Sequence, residues 1–133
     1  MGGCMNKICV HVTGETNIAE AARESRQMAL ALGFSDVQAH YIATAASELA
    51  ANLFIHANGG VLEASELTDP PGLELVSTDQ GPGIADIDKA LQDGYSTAGS
   101  LGCGLPGVRR LMDEMEIDSR MGYGTVVRTR KWR

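Results

Sequence analysis

The chain is expected to fold as an α+β protein, a two-layer α/β sandwich in which a mixed, mainly antiparallel sheet carries helices on one face. Three observations predict it. Strand-like stretches come in neighbouring pairs joined by turns, not in strict alternation with helices. Two helical patterns follow one another directly in the first half of the chain. The length of 133 residues, 44% of them hydrophobic, suits a single domain (1–133) around one core.

The elements follow in order. Lys7 to Val12 alternates between polar and apolar residues and predicts a first strand. Thr16 or Asn17 is suited to cap a helix that runs to about Leu32, with Gly33 as its stop. Ala22, Met28, Ala29 and Leu32 form its apolar face. Ser35 or Asp36 caps a longer helix to about His56, whose buried stripe is Ile42, Ala45, Ala46, Leu49 and Leu53. Asn58-Gly59-Gly60 ends it. Val61 to Leu67 and Leu73 to Asp79 read as strands, and the intervening Asp69-Pro70-Pro71-Gly72 turn makes them antiparallel neighbours. Asp86 to Gln92 suggests a short helix, and Asp93 to Cys103 a mobile loop rich in Gly, Ser and Thr. Leu105 to Met115 reads as a helix with Pro106 tolerated in its first turn. Glu116 to Arg120 and Thr125 to Lys131 close the chain as strands.

Composition narrows the functional classes. A net charge of −6 argues against non-specific nucleic-acid binding but not against a nucleotide, whose phosphates are neutralised by backbone N–H groups and metal ions. No apolar run reaches membrane-spanning length, and Met1 to Val12 lacks the apolar stretch of a signal peptide, so the expectation is a cytoplasmic protein with no membrane partner. The three cysteines, Cys4, Cys9 and Cys103, form no CxxC pair and support neither a disulfide framework nor a zinc site. His11, His40 and His56 lack metal spacing and read as surface or helix-end residues. Arg128, Arg130 and Lys131 read as decoration of a solvated strand, or as a contact for an acidic partner.

Three constellations carry chemistry. Glu48 and Asn52 are four residues apart and share one face of the second helix. An amide oxygen is a suitable hard ligand for Mg²⁺, and a carboxylate one turn away can accept a proton from an attacking hydroxyl or water. Taken alone, the pair also fits an ordinary solvated helix face. Asp79, at a strand end before Gln80-Gly81-Pro82-Gly83, can accept a hydrogen bond from the exocyclic amine of adenine, with Gly81 and Gly83 admitting a flat base. By itself the segment is also good turn chemistry. Gly102-Cys103-Gly104-Leu105-Pro106-Gly107 matches G-x-G-x-x-G but follows a loop, not a strand, which argues against a dinucleotide fold. Glycines opening a helix still present N–H groups to phosphates, or simply give a flexible entry. Cys103 suits a small buried filler there. No GxxxxGK[ST] loop and no V-A-I-K, H-R-D or D-F-G set occurs, which disfavours P-loop NTPases and ordinary protein kinases.

In order and approximate spacing these motifs resemble the Bergerat-fold ATPases, the GHKL group of gyrase, Hsp90, histidine kinases and MutL. Glu48 to Ala57 resembles the N-box, Asp79 to Gly83 the first glycine box, Gly102 to Leu105 the second, and Gly122-Tyr123-Gly124-Thr125 the final GxGT element. Within the group, SELAANLFIHA, DQGPGI, DGYSTAGSLGCGLPGVRRLMDEM and the closing KWR resemble the RsbT-type switch serine/threonine kinases of bacterial stressosomes. The resemblance implies ATP and Mg²⁺ as cofactors. It implies phosphorylation of Ser or Thr on STAS-domain scaffold proteins, then release to activate an effector such as a PP2C-type phosphatase. By position it makes Glu48 the general base and Asn52 the Mg²⁺ ligand. Asp79, Gly81, Gly83 and Thr125 would form the adenine pocket, and Gly102, Gly104 and Leu105 the phosphate segment. The alternative is an anti-sigma factor that sequesters a sigma factor. Sigma-binding relatives carry a basic residue before the second glycine box, and Tyr95 to Cys103 has none. Mg²⁺ and helix N–H groups then carry more of the γ-phosphate neutralisation, with Arg109 or Arg110 as possible helpers. A third expectation is a bare ATPase or a histidine-kinase-like domain; the lack of a phospho-accepting histidine region counts against a stand-alone histidine kinase.

Overall fold

The structure is a computed structural model that describes residues 7–57, 59–81, 104–120 and 122–133. The expected helix at Asp86 to Gln92, the loop from Asp93 to Cys103, and the site residues Gly83 and Gly102 lie outside the described residues. In chain order the elements are β1 (Lys7–Val12), α1 (Glu15–Ala31), α2 (Asp36–Ala57), β2 (Gly60–Thr68), β3 (Pro71–Asp79), α3 (Gly104–Leu111), β4 (Glu114–Arg120) and β5 (Gly124–Trp132).

The strands form one five-stranded sheet in the order β1-β2-β3-β5-β4, antiparallel at every pairing. The α+β sandwich is therefore present, with the helices packed on one face. The pleat separates two sets of side chains. Val10, Val12, Leu62, Ala64, Leu73, Leu75, Val127 and Thr129 are buried beneath the helices. The opposite face carries Glu63, Glu74, Glu114, Glu116, Arg128 and Arg130. There Arg130 meets Glu74 at 2.9 Å and Glu114 at 3.3 Å.

The first two helices are bounded by local signals. Asn17 sits inside α1 and does not cap it. Its Oδ1 instead accepts the Thr13 and Gly14 N–H groups at 3.0 and 3.1 Å. Gly33, with φ of 95°, ends the helix as expected. The buried face is Ala21, Ser25, Met28 and Ala29, one residue out of phase from the expected Ala22 at its start. Ser35 and Gln38 form a reciprocal capping box at the head of α2: Ser35 Oγ accepts the Gln38 N–H and Gln38 Oε1 accepts the Ser35 N–H, each at 3.1 Å.

α2 is the central element. Ala39, Ile42, Ala43, Ala45, Ala46, Leu49, Ala50, Ala51 and Leu53 are all buried, around most of its circumference. Its alanines let α1, α3 and the sheet approach closely. One stripe escapes burial: Tyr41, Thr44, Glu48, Asn52 and Ile55, at helical spacing of three or four. None of the described helices is long and apolar enough to cross a membrane.

The last helix departs from expectation. It stops at Leu111, not Met115. Met112 and Asp113 form a turn, and the Asp113 N–H donates to the Arg130 carbonyl at 2.9 Å. That bond draws residues 114 onward into the β4–β5 ladder, where Met115 pairs with Thr129. Cross-strand pairing overrides the helical propensity of Met112 to Met115.

Candidate functional site

The unburied stripe of α2 runs between two glycine-containing segments. The helix rises about 1.5 Å per residue, so Glu48 and Ala57 lie roughly 13 Å apart along the axis. That distance suits an extended nucleoside triphosphate.

At the Ala57 end sits Asp79, the last residue of β3. It is in register with Thr125 on β5, and Thr125 with Ser119 on β4. All three occupy core-facing positions. The Thr125 and Ser119 hydroxyls are hydrogen-bonded at 2.9 Å. Asp79 Oδ1 accepts the Gly81 N–H at 2.8 Å, which folds the chain back at the strand end. A Cβ on Gly81 would lie 3.0 Å from the Ala57 Cβ and 3.2 Å from Asp79 Oδ1, so only glycine fits between α2 and the carboxylate without displacement. Gly60 makes a similar demand: a Cβ there would strike the Thr78 carbonyl and lie 2.7 Å from Leu53 Cδ2. Gly124 has φ of 120° and backs onto the Asp79 carbonyl, where a Cβ would collide. Three glycines thus pack the backbone tightly around one carboxylate.

At the other end Glu48 is half-buried, and its carboxylate accepts a hydrogen bond from the backbone N–H of Gly104, the first residue of α3. Burial raises the Glu48 pKa above the ordinary carboxylate value, and the Gly104 hydrogen bond opposes that rise without cancelling it. The N–H is one of the free donors at a helix start, so Glu48 sits where an external anion would be received. Asn52 is half-buried one turn further along the same stripe. Leu105 and Val108 turn into the core and seat α3 against α2.

The sequence-predicted residues therefore fall into two groups, one at the C-terminal end of α2 and one at its middle. Asp79, Gly81 and Thr125 come together at the C-terminal end, Glu48 and Gly104 at the middle, with Asn52 between them along the helix. Among the described residues no cluster of three or more His, Cys, Asp or Glu side chains could hold a metal by itself. A single amide donor fits Mg²⁺ when phosphates and water supply its remaining ligands. Sequence reasoning missed Gly60 and Ser119. Gly60 signalled itself only as a helix breaker, and Ser119 needed the β4–β5 register to be seen.

It also misplaced Lys131. Lys131 is 9% exposed and lies on the covered face of the sheet, not on a solvated strand. Its Nζ donates to the Leu111 carbonyl at 2.8 Å, lies 3.9 Å from Asp113 Oδ1, and is 5.3 Å from the centre of the Tyr41 ring. Arg128 is exposed as expected.

Comparison with known proteins agrees with this architecture. Residues 13–131 match the family described as histidine kinase-like ATPase domain. The chain is 44% identical over 126 residues to the serine/threonine-protein kinase RsbT of Bacillus subtilis, a match that spans 93% of this chain and 95% of that protein. It is 33% identical over 96 residues to an anti-sigma F factor of Heyndrickxia coagulans, covering 66% of this chain and 65% of the relative. An anti-sigma F factor of Caldanaerobacter subterraneus is 34% identical over 99 residues, with 68% of each chain covered.

Proposed function

Because the chain belongs to the histidine kinase-like ATPase domain family, on the branch of the serine/threonine-protein kinase RsbT, we propose that the α2 cleft transfers the γ-phosphoryl group of ATP to a Ser or Thr hydroxyl of a partner protein. The observation that carries this reading is the Glu48 carboxylate, half-buried and held against the first N–H of α3. It places a proton acceptor beside an anion-receiving helix start.

Adenine lies at the Asp79 end. The carboxylate accepts the exocyclic N–H of the base, and Gly81 leaves room for its face. The triphosphate runs along the α2 stripe toward Gly104. A phosphate oxygen arriving there takes over the Gly104 N–H and releases the Glu48 carboxylate. Glu48 then accepts the proton of the incoming hydroxyl as its oxygen bonds to the γ-phosphorus. The bond to the bridging oxygen breaks, and ADP leaves with that electron pair. Asn52 would hold Mg²⁺, which when bound supplies positive charge to the phosphate oxygens.

The acceptor belongs to another protein, and a STAS-domain scaffold is the partner class this branch suggests. Release from that scaffold then frees the kinase to bind and activate an effector such as a PP2C-type phosphatase, by partner switching in a cytoplasmic stress response. Sequestration of a sigma factor is a second reading, supported by the similarity to anti-sigma F factors. The first is favoured because the match to RsbT is higher and spans nearly the whole of both chains.

The test mixes the protein, a STAS-domain partner and labelled Mg-ATP. Label should reach a Ser or Thr of the partner, and Glu48→Gln should slow transfer by about a hundredfold or more while ATP still binds. Transfer by Glu48→Gln at the wild-type rate would sink the assignment of the base. Stable capture of a sigma factor with no label on any STAS protein would favour the second reading.

A further inference from the structure

Lys131 is nearly buried, and the mechanism above gives it no task. It lies at the far end of α3 from Gly104. Gly104 faces Glu48 on α2, while Leu111, seven residues on, reaches Tyr41 on α2 through the Lys131 ammonium. Glu48 and Tyr41 are also seven residues apart. The two helices therefore run side by side in opposite directions, tied at both ends of a stretch of roughly 10 Å. The Glu48 tie is the one that an arriving phosphate breaks. The Lys131 tie remains. It places a cation at a helix C-terminus, where the unpaired carbonyls carry partial negative charge. It also sets an ammonium over an aromatic ring with its stem largely out of water.

We propose that Lys131 is a positioning residue for phosphate binding. By gripping the Leu111 carbonyl against Tyr41 it fixes the direction of α3, and so the aim of the Gly104 N–H once Glu48 has let go. This rests on the kinase reading above. It differs from a general stabilising role in one respect: it concerns the phosphate end alone. Adenosine, which carries no phosphate, uses the Asp79 end and does not feel α3. Tyr41 contributes its ring and not its hydroxyl.

The experiment measures binding of Mg-ATP and of adenosine to the wild-type protein and to Lys131→Met, which keeps the apolar stem and removes the ammonium. Expected is about a tenfold weaker affinity for Mg-ATP with adenosine affinity unchanged, and a KM for ATP that rises more than kcat falls. Equal loss for both ligands would make Lys131 merely structural and overturn the proposal, as would an unchanged Mg-ATP affinity. Failure of the wild-type protein itself to bind Mg-ATP would instead sink the kinase reading. If Lys131→Met does not fold, the wild-type protein still decides the matter. Read at the Lys131 ¹⁵Nζ resonance, the hydrogen bond to the Leu111 carbonyl should persist when Mg-ATP binds; loss of that hydrogen bond in the Mg-ATP complex would overturn the proposal.

Discussion

The two ends of the Glu48–Ala57 stretch of α2 are built differently. The end proposed for adenine is made of backbone. Asp79, Thr125 and Ser119 are placed by strand register, and Gly60, Gly81 and Gly124 let main chains touch where any side chain would intrude. The end proposed for the phosphates is made of side-chain ties, Glu48 to Gly104 and Lys131 to Leu111. A ladder position cannot slip without moving every residue of the strand to the wrong face. A side-chain tie is exchanged at the cost of one hydrogen bond, on the order of 1–3 kcal/mol when a charge is involved. The first end suits a ligand group that never changes, the base. The second suits a group that arrives, reacts and leaves.

The largest expected effect breaks the phosphate end chemically. Glu48→Gln should lower phosphotransfer by about 10²–10⁴-fold, the usual contribution of a general base, in a labelled-ATP assay. Its effect on stability should be small and of opposite sign. The folded-state pKa of Glu48 is raised, so the native protein holds this proton more tightly than the unfolded chain. Stability from this group is present at low pH and is lost as pH rises through the raised value. At neutral pH the charged carboxylate is a burden that the amide relieves, and denaturant unfolding should show Glu48→Gln at least as stable as the wild type. The same shift predicts that wild-type transfer falls away on the acid side at a pH above the ordinary glutamate value.

Next comes the backbone of the adenine end. Gly124→Ala must abandon a φ of 120° or push a methyl group into the Asp79 carbonyl. A cost of about 2–3 kcal/mol follows, a fall in Tm on the order of 10 °C by calorimetry, with ATP binding lost alongside. Asp79→Asn should keep the fold and weaken ATP about 10–100-fold by titration calorimetry, since it removes a charged acceptor from the base. Unchanged affinity would place adenine elsewhere and erase the contrast between the two ends. Thr125→Val deletes only the hydroxyl bonded to Ser119 at 2.9 Å and should cost about 1 kcal/mol in stability, with ATP weakened a few-fold. Smallest is Arg130→Ala on the uncovered sheet face. Its ion pairs with Glu74 and Glu114 are partly exposed, so the loss in denaturant unfolding should stay within about 1 kcal/mol and nucleotide affinity should not move.

What could be read beforehand divides along the same line. The α+β class, the antiparallel β2–β3 pair and the buried stripe of α2 follow from short-range patterns: period two, period 3.6 and a turn of Asp69 to Gly72. Glu48 and Asn52 were legible because both lie on one helix, and helical spacing decides which residues share a face. Ser119 and Gly60 were not, because their relation to Asp79 passes through strand pairing between residues distant in sequence. The end of α3 was missed for a similar reason. Nothing local stops a helix at Leu111; the Arg130 carbonyl and the Lys131 ammonium do, from about 20 residues away. Lys131 was misread because alternation along β5 says which residues share a face, and not which face the helices cover.

The most direct test of a single nucleotide cleft along the second half of α2 is amide NMR of the protein titrated with Mg-ATP. The resonances of Gly81 and Gly104, one from each end, should shift together along one saturable binding curve. Shifts confined to one glycine, or two curves with different midpoints, would contradict a cleft that runs from Asp79 to Glu48.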